Sequence, residues 1–119
     1  MKIIVTAVSP SIDSGFDQRF GRCANFVVVD SDTMEWKAFP NPALSASGGA
    51  GTQAAQFAAE QQAGAVISGD FGPNAAAALN AAGIAMYLYK GDAGVKDAVQ
   101  GFTAGKLEEV SMPTTRGRH

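Results

Sequence analysis

The run Ile3-Ile4-Val5-Thr6-Ala7-Val8 constrains this chain more than any other stretch. It is apolar or β-branched at nearly every position, with no polar alternation. A strand with one solvated face alternates, whereas one covered on both faces does not. Residues 3–8 therefore predict a strand at the centre of a sheet.

Residues 25–30, built on Phe26-Val27-Val28-Val29, predict a second strand. Asp30-Ser31-Asp32-Thr33 is turn chemistry, and residues 34–39 alternate, with Met34, Trp36 and Ala38 on one side and Glu35 and Lys37 on the other. The short connection reads as a hairpin and the alternation as a half-exposed edge strand. Pro40-Asn41-Pro42 stops it, because proline cannot donate to a ladder. Beyond the small, glycine-rich residues 43–51, the pattern changes period. Residues 52–62, 74–82 and 95–103 predict helices, and residues 65–68 and 84–89 predict strands between them. Pro73 suits the first position of its helix, and Gly83 its end. The expected order is β-β-β-α-β-α-β-α, an α/β fold with a mixed five-stranded sheet and three helices. Residues 106–110 add a short extended piece.

At 119 residues this is one domain over residues 1–110, with residues 111–119 expected as a flexible C-terminal tail. A chain of this size buries roughly two-thirds of its unfolded surface without staples. Hydrophobic residues make up 46 % and charged ones 17 %, which is a globular composition. The net charge of −2 argues against a general nucleic-acid binder. One cysteine excludes an intrachain disulfide and fits a reducing compartment. No run approaches the ~20 apolar residues of a membrane span. The apolar start is too short for a signal sequence with its cleavage site. Cytoplasmic localisation is the expectation.

Strand directions then locate the loops. If the first strand runs up, the hairpin sends the second down and the third up. Right-handed crossovers through helices send the fourth and fifth up as well. The loops at residues 9–24, 40–51, 69–72 and 90–94 share one end of the sheet, where α/β proteins bind ligands beside a switch in strand order. All three helices begin there, with unpartnered amides and the positive end of the dipole. Gly48, Gly49, Gly51, Gly69 and Gly72 let the backbone come close, and Arg19, Arg22 and Lys90 add charge. The combination suits an anion. Each glycine also has a plainer reading as a turn. Gly48-Gly49-Ala50-Gly51 matches neither the P-loop nor the dinucleotide fingerprint.

The quoted residues carry a family resemblance. Arg19-Phe20-Gly21-Arg22 leading into Phe26, then Asn41-Pro42, Gly49-Ala50-Gly51, Gly69-Asp70-Phe71-Gly72-Pro73-Asn74-Ala75 and Ala82-Gly83-Ile84, resemble the dinitrogenase iron–molybdenum cofactor biosynthesis family over about residues 1–108. The resemblance implies a ribonuclease H-like α/β fold and binding or carriage of iron–sulfur, iron–molybdenum or related metal–sulfur clusters. Many cofactor-handling members place a histidine where this chain has Arg19. Some place histidine or cysteine where it has Gly48 or Gly49. What remains is charge and backbone recognition by Arg19, Gly21, Arg22, Gly48, Gly49, Gly51, Gly69 and Gly72, with Cys23 as the one soft metal ligand.

Each residue has two readings. Cys23, beside Arg22, is a thiolate ligand or a small buried hydrophobe. Asp70 is an acid, a ligand or a helix cap. Arg19 and Arg22 grip an anion or pair with Asp13, Asp17 or Asp70. Asn41 orders its own loop. The expected function is a small non-catalytic carrier of a metal–sulfur cluster, working with a protein that donates or accepts it. One alternative is a module that senses a small anion. Another is a ribonuclease H-like phosphoryl-transfer enzyme, whose two-metal chemistry needs clustered carboxylates that the apolar first strand does not offer. The half-exposed third strand leaves an edge where a homodimer can form.

Overall fold

The computed structural model describes residues 1–44, 49–91 and 93–114. Six strands form one sheet: β1 (Lys2–Ala7), β2 (Asn25–Asp30), β3 (Trp36–Pro40), β4 (Ala65–Ser68), β5 (Ala85–Leu88) and β6 (Glu108–Val110). Their order across the sheet is β3-β2-β1-β4-β5-β6. β1 lies antiparallel to β2 and parallel to β4, so strand order reverses beside it as expected. The helices are α1 (Ala50–Glu60), α2 (Pro73–Ala81) and α3 (Val95–Thr103).

The central placement of β1 follows from its sequence, since Ile3, Ile4 and Val5 are all fully buried. Its residues split between two cores. Ile4 joins Phe26, Val28, Val66 and Met86 under α1 and α2, while Ile3 and Val5 join Val27, Val29 and Ile67 on the side covered by α3. The sheet is thus sandwiched, with α1 and α2 side by side on one face. Small side chains permit this close approach. Ala54, Ala58, Ala75 and Ala76 are all buried.

The expected five-stranded sheet is corrected to six. β6 pairs antiparallel with β5, setting Val110 against Met86 and Glu108 against Leu88. Two glutamates in three residues do not read as a strand. They are tolerated because this is an outer edge, where Glu109 accepts a 3.3 Å hydrogen bond from the Tyr87 hydroxyl. Two residues of the expected tail make contacts with the body of the fold. Asn80 Nδ2 donates to the Ser111 carbonyl at 2.8 Å, and the Thr114 amide donates to the Phe71 carbonyl at 2.8 Å. Residues 115–119 lie outside the described residues.

The hairpin between β2 and β3 is longer than its alternation suggests. Asp30 Oδ1 accepts from the amides of Asp32 and Thr33, which holds its carboxyl below the usual range. Met34 closes the turn in the left-handed conformation (φ 65°), so β3 starts at Trp36.

Candidate functional site

The same end of the sheet carries the loops that follow β1, β3, β4 and β5, because these four strands run in one direction. Within that end, one cleft of about 290 Å³ is lined by Gly21, Arg22, Gly49, Ala50, Gly51, Gly72, Pro73, Asn74 and Ala75. It is where α1 and α2 begin side by side, opposite the turn that follows Phe20. Among the described residues the lining contains one charged side chain, that of Arg22, and no carboxylate.

Two features make these helix starts suitable for an anion. Each N-cap is a glycine, Gly49 and Gly72, so neither helix has a side-chain cap, and neither has an acidic residue in its first turn. The first intrahelical bonds are those of the Gln53 amide to the Gly49 carbonyl and the Ala76 amide to the Gly72 carbonyl. The amides before them point out of the helix starts, where the dipoles add positive potential. The third helix does not share in this. Asp97 sits in the first turn of α3 and accepts a hydrogen bond from the Gly94 amide at 3.0 Å, and α3 packs on the opposite face. All three helices begin at this end of the sheet, but only the starts of α1 and α2 line the cleft.

The glycines divide by role. Gly49 has φ 71°, a conformation that favours glycine. Gly51 lies inside α1, where a side chain would meet the Ala75 amide and methyl at 3.1 Å. Gly21 in turn leaves only 3.3 Å between its missing side chain and the Gly51 amide. This Gly21–Gly51–Ala75 stack brings the turn and both helix starts together. Gly69 is outside the lining. It makes room for Gln18, whose side chain a Cβ at that position would strike. Gly48 lies outside the described residues.

The core fixes the walls. Phe20 anchors the Gly21–Arg22 turn and Phe71 anchors the turn before α2. Both are buried, with ring centroids 5.6 Å apart. Phe20 also packs on Phe26 at 5.7 Å. Asn41, only 5 % exposed, donates from Nδ2 to the carbonyls of Gly21 (3.1 Å) and Cys23 (2.9 Å) while its Oδ1 accepts from the Ala43 amide. Sequence reasoning gave Asn41 only its own loop. Its span across to residues 21–23 has no local signal, because the partners are far away in the chain.

Arg19 and Cys23 stand apart from the cleft. Arg19 pairs with Asp17 (Nε to Oδ1, 3.3 Å), and this partner raises its pKa. Cys23 is fully buried, and its thiol donates to the Phe20 carbonyl at 3.5 Å. Burial, with the charge of Asp17 second, pushes its pKa up to about 12. Of the two readings of Cys23, thiolate ligand and small buried hydrophobe, these surroundings match the second. Asp70 is neither a cap nor an acid in the cleft. It accepts from the Thr114 hydroxyl at 2.7 Å.

Among the described residues no three His, Cys, Asp or Glu side chains gather as they would to hold a metal ion. A larger hollow of about 710 Å³ flanks β3, but its charges are of both signs, Lys2 and Lys37 against Asp30 and Glu35, and no helix begins there. No helix among the described residues is long and apolar enough to cross a membrane.

Comparison with known proteins agrees with the sequence resemblance. The family model described as dinitrogenase iron-molybdenum cofactor matches residues 1–105. The apo form of the orange protein from Desulfovibrio gigas is 41 % identical and superposes with a TM-score of 0.91, covering 96 % of each chain. A Thermotoga protein assigned to NifB and placed in the DUF35 family is 26 % identical, with a TM-score of 0.83 over 98 % of each chain. No curated protein matches significantly.

Proposed function

Because the chain belongs to the dinitrogenase iron–molybdenum cofactor family, we propose that it is a small, non-catalytic binding or carrier protein for an anionic metal–sulfur cluster held in the cleft between α1 and α2. The observation that carries this reading is the convergence of two helix starts without side-chain caps and Arg22 on one carboxylate-free cleft. A pre-assembled anionic cluster, iron–sulfur, iron–molybdenum or related, needs no thiolate from the protein if backbone amides and a guanidinium take up its charge. The donor set fits such cargo better than a bare ion. A neighbour described in its apo form, and called orange, supports a coloured ligand in this fold.

In this reading Gly49, Gly51 and Gly72 admit the cluster to the backbone, Arg22 pairs with it, and Gly21 keeps the turn close. Arg19 and Lys90 add only longer-range charge. The partner is a protein that donates or accepts the cluster, in a cytoplasmic setting. The ribonuclease H-like description belongs to this reading for architecture alone, since phosphoryl transfer needs carboxylates at the cleft.

Anaerobic incubation of the whole protein with iron or molybdate and sulfide should yield a coloured species that co-elutes with it. Arg22→Glu should abolish the colour while Arg19→Ala retains most of it. Colour that never co-elutes, or that survives Arg22→Glu unchanged, defeats the reading. A second reading rests on the size of the cleft, about 290 Å³, which also suits a single oxyanion. Stabilisation by molybdate or phosphate without sulfide, seen as a rise in Tm, would favour an anion sensor.

A further inference from the structure

β3 is the last strand on its side of the sheet, and its outer edge has a definite pattern of groups. The Asp30 amide donates to the Glu35 carbonyl at 2.8 Å, and the Asn41 amide donates to the Ala24 carbonyl at 3.0 Å. In an antiparallel pair every second opposed position is hydrogen-bonded. With the observed register, Glu35, Lys37 and Phe39 therefore turn their backbone groups towards β2, and Trp36 and Ala38 turn theirs outward. Pro40, the last residue of the strand, has no amide to lose. Trp36 and Met34 beside this edge are 42 % and 47 % exposed.

The opposite edge of the sheet is guarded differently. β6 has three residues, two of them exposed glutamates, and like charges discourage a second strand. Trp36, which opens β3, instead stands between Glu35 just before the strand and Lys37 within it, one of each sign.

We propose that β3 pairs antiparallel with β3 of a second copy of this chain, about a two-fold axis through Trp36. A two-fold axis there sets residue 35 of one copy against residue 37 of the other, twice. Glu35 then faces Lys37 of the second copy at both positions, as an opposed cross-strand pair of opposite sign. The Trp36 backbone groups bond to their own symmetry mates. An axis through Lys37 would set lysine against lysine. Charge thus selects the register, and the symmetry closes the assembly at two copies. The contact is one strand wide, so the dimer is weak and concentration-dependent.

Trp36 is the only tryptophan, which makes it a direct reporter. Sedimentation velocity of the whole protein at low salt, from micromolar to near-millimolar concentration, should show a monomer passing to a dimer. Tryptophan emission should shift to the blue over the same range. Lys37→Glu should restore the monomer, and the exchange Glu35→Lys with Lys37→Glu should bring the dimer back, each variant keeping its circular dichroism. A chain that stays monomeric throughout overturns the proposal. So does a dimer that survives Lys37→Glu, or one that the double exchange fails to rescue.

Discussion

Alkaline pH should destabilise this protein through one buried thiol. Cys23 is fully buried, and its pKa stands at about 12 against an ordinary 9.0. Below about pH 9 the thiol keeps its proton in both folded and unfolded chains, and the stability linked to it is fully present. Above that, the unfolded chain gives up the proton while the folded chain holds it, so stability falls as pH climbs towards the folded pKa. At 1.36 kcal/mol per pKa unit, a rise from 9.0 to about 12 amounts to about 4 kcal/mol in all. Linkage gives about 1.4 kcal/mol lost by pH 10 and about 2.7 kcal/mol by pH 11. Tyr87, whose pKa is also raised by burial, contributes with the same sign. The informative quantity is therefore the difference between the wild type and Cys23→Ala. That variant loses packing, a cost of about 1–2 kcal/mol that does not depend on pH. Urea unfolding of both proteins between about pH 8 and 11 should show the wild-type advantage falling by about 2.7 kcal/mol, so that Cys23→Ala becomes the more stable protein at the alkaline end. A gap that stays constant with pH refutes the reasoning. So does a native thiol that reacts with Ellman's reagent at about pH 8 as fast as free cysteine.

Four further outcomes follow from named contacts. Asn41→Ala removes the donor shared by the Gly21 and Cys23 carbonyls, and thermal unfolding should report a loss of about 2–3 kcal/mol. Phe20→Ala should cost about 3–5 kcal/mol in urea unfolding, because the ring is buried between Phe26 and Phe71. Met34→Gly should raise stability by about 1 kcal/mol in the same assay, since it relieves a left-handed residue whose side chain is 47 % exposed. Gly51→Val should separate the starts of α1 and α2, because even a Cβ there lies 3.1 Å from Ala75. The colour formed on reconstitution should be lost while the helical circular dichroism remains.

The strands were legible where burial is two-sided or alternation is clean. β1 and β4 needed only their unbroken apolar runs, and the directions of the first five strands followed from hairpin and crossover rules. β6 was hidden because an edge strand tolerates glutamates. Its pairing depends on α3 returning the chain to β5, which no local pattern states. The beginning of α1 was hidden for a related reason. Gly51 disfavours a helix by propensity, yet it sits inside one because α2 approaches too closely for any side chain. At the cleft, Gly21, Arg22, Gly49, Gly51 and Gly72 could be named from sequence, since helix starts and glycine turns are local signals. Cys23 and Arg19 could not be assigned in that way. Whether a thiol is buried, or an arginine already engaged by Asp17, depends on neighbours that only the folded chain supplies.

The contact between Phe20 and Phe71 has a kinetic consequence. It ties the two rims of the cleft to each other through the core, so neither rim can swing away without opening buried aromatic surface. On the proposed reading, an anion arriving there meets an open mouth rather than a gate. Its arrival rate is then governed by long-range attraction and falls as ionic strength rises, with no slow opening step to mask the dependence. Departure is set by the anion's own contacts. A stopped-flow series in salt would show this as an association rate that stays linear in ligand concentration without reaching a plateau.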